Sequence, residues 1–148
     1  MNPEQTLAAL YETAKDGAID ILRDSREPKP IVLAVQDNEI FAMPYAGSRD
    51  EMRAALAFAA ETFEQFVAVH CAWTASAAEV EKYGCPEKCP EHRQGVIVNA
   101  YAKGKRVCTG FLEFRGDKEH GFTWDEAWKE TGTTFDMVST PEQGSIFP

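Results

Sequence analysis

Cys85, Cys89 and His92 fall within one short run, Gly84-Cys85-Pro86-Glu87-Lys88-Cys89-Pro90-Glu91-His92-Arg93, of a chain that holds only four cysteines and three histidines. Thiolate and imidazole are the donors Zn²⁺ prefers, and two cysteines a few residues apart with a histidine close behind suit one face of a tetrahedral site. Pro86 and Pro90 restrict the backbone beside each thiol, which lowers the entropy lost on closing such a loop. The fourth ligand must come from elsewhere. Cys71 and Cys108, each in an expected strand, are the candidates, with His70 and His120 behind them. A Cys₃His site of this kind is closed and structural, with no position left for water. The competing account makes Cys71 and Cys108 small core residues, Cys85 and Cys89 loop thiols or a disulfide pair, and His92 an exposed side chain.

Other chemistry finds less support. A zinc deaminase pairs its histidine with a glutamate two positions on, whereas His70 is followed by Cys71 and Ala72. A metal-dependent isopeptidase of the MPN type needs a His-x-His pair that this chain lacks. His70 and Cys71 are adjacent on one strand and point to opposite faces, so they form no nucleophile–base pair. Cys108 across the sheet from His70 is the remaining pairing. Gly104, Gly110 and Gly116 are too widely spaced for a phosphate-binding loop.

The 148 residues fit one domain with a single core. A formal charge of −9 opposes binding to free nucleic acid or an anionic membrane surface. No apolar run reaches the length needed to span a bilayer, and the first residues lack a signal-peptide pattern, so a cytosolic chain with reduced cysteines is expected.

The elements that would position these residues follow from periodicity. Asn2 as N-cap, Pro3 at the first helical position and Leu7, Leu10, Ala14, Ala18 and Ile21 at helical spacing predict a helix over 3–24. Residues 31–35 and 40–43 flank Asp37-Asn38, a tight-turn pair, and predict a hairpin. Both strands are apolar on successive residues, which predicts cover on both faces. Ser48 and Glu51 open a second helix over 49–65. A central strand over 66–75 carries Val67, Val69 and Cys71 on one side and Ala68, His70 and Ala72 on the other. After a short helical or irregular piece at 77–83, residues 96–102 and 106–114 form a second hairpin around Lys103-Gly104. Thr123 and Glu126 predict a short helix over 124–130, stopped by Gly132. The expected fold is α+β: a mostly antiparallel sheet of about five strands, two hairpins plus the central strand, packed by two amphipathic helices.

A single α+β domain is expected over 1–115, followed by an acidic extension over 116–148 packed on or near it. That extension carries Phe122, Trp124, Trp128, Phe135 and Phe147 among its carboxylates. Aromatic anchors among acids suit a basic, grooved protein partner. The alternative is that they cover the domain's own sheet.

The Ala72-Trp73 strand, the Pro-rich loop and the junction Pro90-Glu91-His92-Arg93-Gln94-Gly95-Val96-Ile97-Val98 resemble a group of small uncharacterised α+β proteins from phages and bacteria. The resemblance covers element order over the first 115 residues and implies no activity. Two readings follow. One is a cytosolic protein-binding or regulatory domain, phage-derived by that resemblance, with a structural zinc clip and Phe122, Trp124 and Trp128 facing the partner. The other is a small-molecule or nucleotide-binding enzyme or sensor, its pocket beside the central strand at His70 and Cys108. Oligomeric state is open in both.

Overall fold

The computed structural model describes residues 2–75, 77–85, 88–90, 93–125 and 127–131. Helix α1 spans Pro3–Arg23 and opens on a reciprocal cap: the Asn2 side chain accepts from the Gln5 amide, and the Gln5 side chain accepts from the Asn2 amide. Strands β1 (Ile31–Gln36) and β2 (Glu39–Pro44) form the first hairpin, and α2 spans Arg49–Thr62. The long strand β3 (Gln65–Thr74) leads to the short helix α3 (Ala77–Tyr83). Then follow β4 (Arg93–Ala102), β5 (Lys105–Asp117), β6 (Gly121–Thr123) and β7 (Lys129–Thr131).

All the strand pairs are antiparallel, in the order β2-β1-β3-β4-β5, with β6 and β7 both on the far edge of β5. Asp37 and Asn38 both have positive φ, the geometry whose twist matches two paired strands, and Lys103-Gly104 repeats it in the second hairpin.

The two faces of this sheet are unequally covered. α1 buries Leu7, Leu10, Tyr11, Ala14, Ala18 and Leu22 against Val67, Val69, Val96, Val98, Leu112 and Phe114. Full burial of a leucine-sized side chain contributes about 1.5–3 kcal/mol, so this face carries most of the stability. On the other face α2 buries only Ala59, which meets Val32, Ala34, Phe66 and Ala68.

Three expectations are corrected. Among the described residues the sheet has seven strands rather than about five, because β5 runs on through Asp117 and β6 and β7 add to its edge. No helix forms at the described residues of 124–130: Lys129–Thr131 is strand β7, paired to Thr109–Phe111. A helix of two turns is marginal in isolation, and pairing with a formed sheet edge outweighs it. The first hairpin is not covered on both faces. β1 is interior, but β2 is the sheet edge, and five of its six residues are exposed. Among the described residues no helix is long and apolar enough to cross a membrane.

Candidate functional site

The cysteines do not converge. Cys71 lies on the α1 face of β3, where its thiol donates to the Pro28 carbonyl oxygen at 3.4 Å. Burial, with Glu27 nearby, pushes this thiol up to about 12. Cys108 is buried on the same face of β5, near Tyr11, and burial followed by the Glu130 carboxylate raises it to about 11. The register sets Cys71 opposite Val96 and Cys108 opposite Ala100. Four residues of strand and two inter-strand spacings place the two thiols roughly 15 Å apart, too far to share an ion. Cys108 also lies well along β4 from Arg93, the end at which the cysteine loop enters the sheet. The thiol of Cys89 is buried and donates to the Cys85 carbonyl at 3.3 Å, and desolvation, then Glu79, raises its pKa. His92 lies outside the described residues. Among the described residues, no three His, Cys, Asp or Glu side chains are grouped as a metal site requires.

His70 and Cys108, the pair on which a pocket beside the central strand was expected to rely, lie on opposite faces of the sheet. Cys108 follows the parity of Leu112 and Phe114 toward α1, whereas His70 follows that of Phe66 and Ala68 toward α2. On the His70 side a short polar row crosses the sheet. Asn99 and Thr109, opposite each other on β4 and β5, are both buried, and the Thr109 hydroxyl donates to the Asn99 side-chain oxygen at 2.7 Å. His70, two positions along β3 from the partner of Asn99, is buried with them, and burial holds its imidazole down at about 4.

Of the aromatic residues of the acidic extension, Phe122, Trp124 and Trp128 pack on the chain's own α1 face, while Phe135 and Phe147 lie outside the described residues. Phe122 meets Phe114 edge-on, with ring centroids 5.3 Å apart. Trp124 and Trp128 are partly buried against the same cluster. The Trp128 indole N–H donates to the Tyr11 hydroxyl at 2.9 Å, and the Lys15 ammonium lies 5.7 Å from that ring's centre. Gly110 makes the arrangement fit, because a Cβ there would overlap the Tyr11 hydroxyl and the Trp128 ring. Trp128→Phe is expected to destabilise the fold by about 1–3 kcal/mol, since it removes a donor from a buried hydroxyl. Urea unfolding followed by circular dichroism measures it; a loss below about 0.5 kcal/mol would show that this hydrogen bond contributes nothing.

The exposed apolar surface lies elsewhere. Ile40 is 64% exposed and Phe41 44%, both on β2, and Phe58 on α2 is 51% exposed. Phe41 points to the α2 side, where its ring centre is 6.4 Å from that of Phe63. Ile40 points to the α1 side and borders a groove of about 360 Å³ lined by Thr6, Ala9, Leu10, Thr13 and Val35. The edge is therefore apolar on both faces. Among the described residues no strand pairs with its outer side, so its main chain is also available. In a two-residue hairpin the residues flanking the turn exchange both hydrogen bonds, so Gln36 with Glu39, Ala34 with Phe41 and Val32 with Met43 face each other. The bond from the Tyr45 amide to the Pro30 carbonyl, at 3.2 Å, continues that alternation. The N–H and C=O groups of Ile40 and Ala42 consequently point away from β1, at the sheet's edge.

Sequence pattern alone does not find this site, because two apolar strands in one hairpin look equally covered. The one signal is the pattern itself: a strand apolar on successive residues is built for the interior.

Fold and site together define an α+β domain with an antiparallel sheet, well packed on one face and ending in an uncovered apolar edge strand. Compared with known proteins, the chain matches no family model, no curated protein and no solved structure.

Proposed function

We propose that the chain is a protein-binding domain that receives an extended segment of its partner along β2. The supporting observation is the edge strand itself: apolar on both faces, exposed, and with the amide and carbonyl groups of Ile40 and Ala42 directed outward. Natural edge strands are blunted by charge, proline or a bulge. β2 carries one charge, Glu39, at its first residue and one proline, Pro44, at its last, and its register with β1 is regular throughout. Strand addition uses this geometry, with main-chain bonds supplying affinity and alternate side chains supplying choice. The charge of −9 argues against nucleic acid as the partner.

The test is a display library of extended peptides, with bound peptides mapped by amide hydrogen exchange. The expected result is at least about tenfold slower exchange at Ile40 and Ala42, because paired amides exchange only after opening. Peptides that bind while leaving those two amides unprotected would place the binding surface elsewhere and end this reading.

A further inference from the structure

We propose that the occupant of the β2 edge is a second copy of this chain, the two β2 strands pairing antiparallel about a two-fold axis at Phe41; this rests on β2 being the docking strand.

The strand is complementary to itself in this register. The outward groups belong to Ile40 and Ala42, and with the axis at Phe41 the Ile40 of one copy stands opposite the Ala42 of the other. Each such pair exchanges both main-chain hydrogen bonds, as a closely bonded antiparallel pair does. Phe41 meets Phe41 of the second copy as the intervening pair, whose Cα atoms lie about 4.5 Å apart. On the α2 face this joins the Phe41 and Phe63 rings of both copies into one aromatic cluster. On the α1 face Ile40, the most exposed large apolar side chain among the described residues, gains the Ala42 methyl of its neighbour.

Charge placement agrees with this register. The two acids near the edge, Asp37 and Glu39, lie at its hairpin end. Under the two-fold, Glu39 comes opposite Met43, and Asp37 comes opposite Tyr45. No acid faces an acid. The net −9 of each copy opposes association at long range, but screening at physiological ionic strength confines that repulsion to about 8 Å. Pairing also makes β2 an interior strand, which its apolar pattern calls for and the single chain does not supply. Two-fold pairing of one patch with itself is the commonest symmetry of soluble oligomers.

The experiment is sedimentation equilibrium of the full chain across the micromolar range. It is run on wild type, Ala42→Pro and Ile40→Lys, with circular dichroism to establish that each variant is folded. Ala42→Pro removes an outward amide that β1 does not use, so the monomer keeps its ladder. A dimer is expected for wild type, with its dissociation constant raised at least about tenfold in both variants: Ala42→Pro loses an interfacial main-chain hydrogen bond from each copy, and Ile40→Lys replaces the apolar contact with Ala42 by a charge that must stay in water. The register is read by mild oxidation. Phe41→Cys is expected to form a disulfide-linked dimer, since its Cα spacing suits that bond, whereas Met43→Cys, roughly 13 Å from its mate, and wild type do not. A wild-type chain that stays monomeric, or a dimer indifferent to Ala42→Pro and Ile40→Lys, overturns the proposal. In the monomeric case, peptide-induced protection of Ile40 and Ala42 would still uphold strand addition by a different partner.

Discussion

Lowering the pH from 7 to 4 is expected to remove about 3 kcal/mol of folding stability through His70 alone. Its folded-state pKa is about 4 against an ordinary 6.5, because burial on the α2 face disfavours the imidazolium. Between those values the unfolded chain binds a proton that the folded chain refuses, so stability rises with pH across this window and is lost as pH falls through it. Above pH 7 both states are neutral at this position and the effect is flat. At about 1.36 kcal/mol per pH unit, the window yields the stated loss. Urea unfolding at pH 7, 5.5 and 4, on wild type and His70→Gln, isolates the contribution, since carboxylates common to both chains cancel in the difference. Parallel pH profiles for the two chains would show that His70 takes up its proton without cost.

Phe66→Ala is expected to cost about 3–5 kcal/mol, the usual penalty for emptying a phenylalanine site in a core. Phe66 is buried on the α2 face, stacked on Tyr101 with ring centroids 4.6 Å apart and planes 11° off parallel. The consequence should reach beyond the cavity. α2 buries only Ala59, and Phe66 is the largest buried side chain in the cluster it meets, so the variant should release α2 before the sheet melts. Hydrogen exchange would then report fast amides along Arg49–Thr62 with the β3–β5 amides still slow. Phe58→Ala, on the exposed side of the same helix, should change stability by no more than about 0.5 kcal/mol. A Phe66→Ala loss below about 1 kcal/mol would mean that α2 is held by contacts other than this cluster.

Much of the fold was legible in the chain before its tertiary contacts. Asn2-Pro3, the spacing of Leu7, Leu10, Ala14 and Ala18, the Ser48 cap and the Asp37-Asn38 and Lys103-Gly104 turns are local signals, and each marks an element within a few residues of its end. The alternation in β3 likewise separated Val67, Val69 and Cys71 from Ala68 and His70 on opposite faces. The short segments after Phe114 were not legible. β6 and β7 have three residues each and exist only because the edge of β5 offers them partners. Thr123 and Glu126 suggested a helix cap by spacing, but Trp128 is drawn to Tyr11, which lies 117 residues earlier in the chain.

Cys85, Cys89 and His92 are neighbours in sequence, and that is the whole of what spacing can say about them. Whether a fourth ligand stands near depends on which strand ends meet. Cys71 lies near the end of β3, while Cys108 lies toward the far end of β5, committed to the core beside Tyr11.

The sequence by itself determined the class of the protein, the long helices, both hairpins and the faces of the central strand, because caps, turns and periodicity act over a few residues. Only the tertiary structure decided that β2 is an edge while β1 is interior. Both strands have the same apolar pattern, and the pattern states how much cover a strand needs. Position in the sheet states how much it receives: α2 packs on β1 and β3, and β2 is left with its apolar side chains and the main-chain groups of Ile40 and Ala42 at the boundary of the molecule.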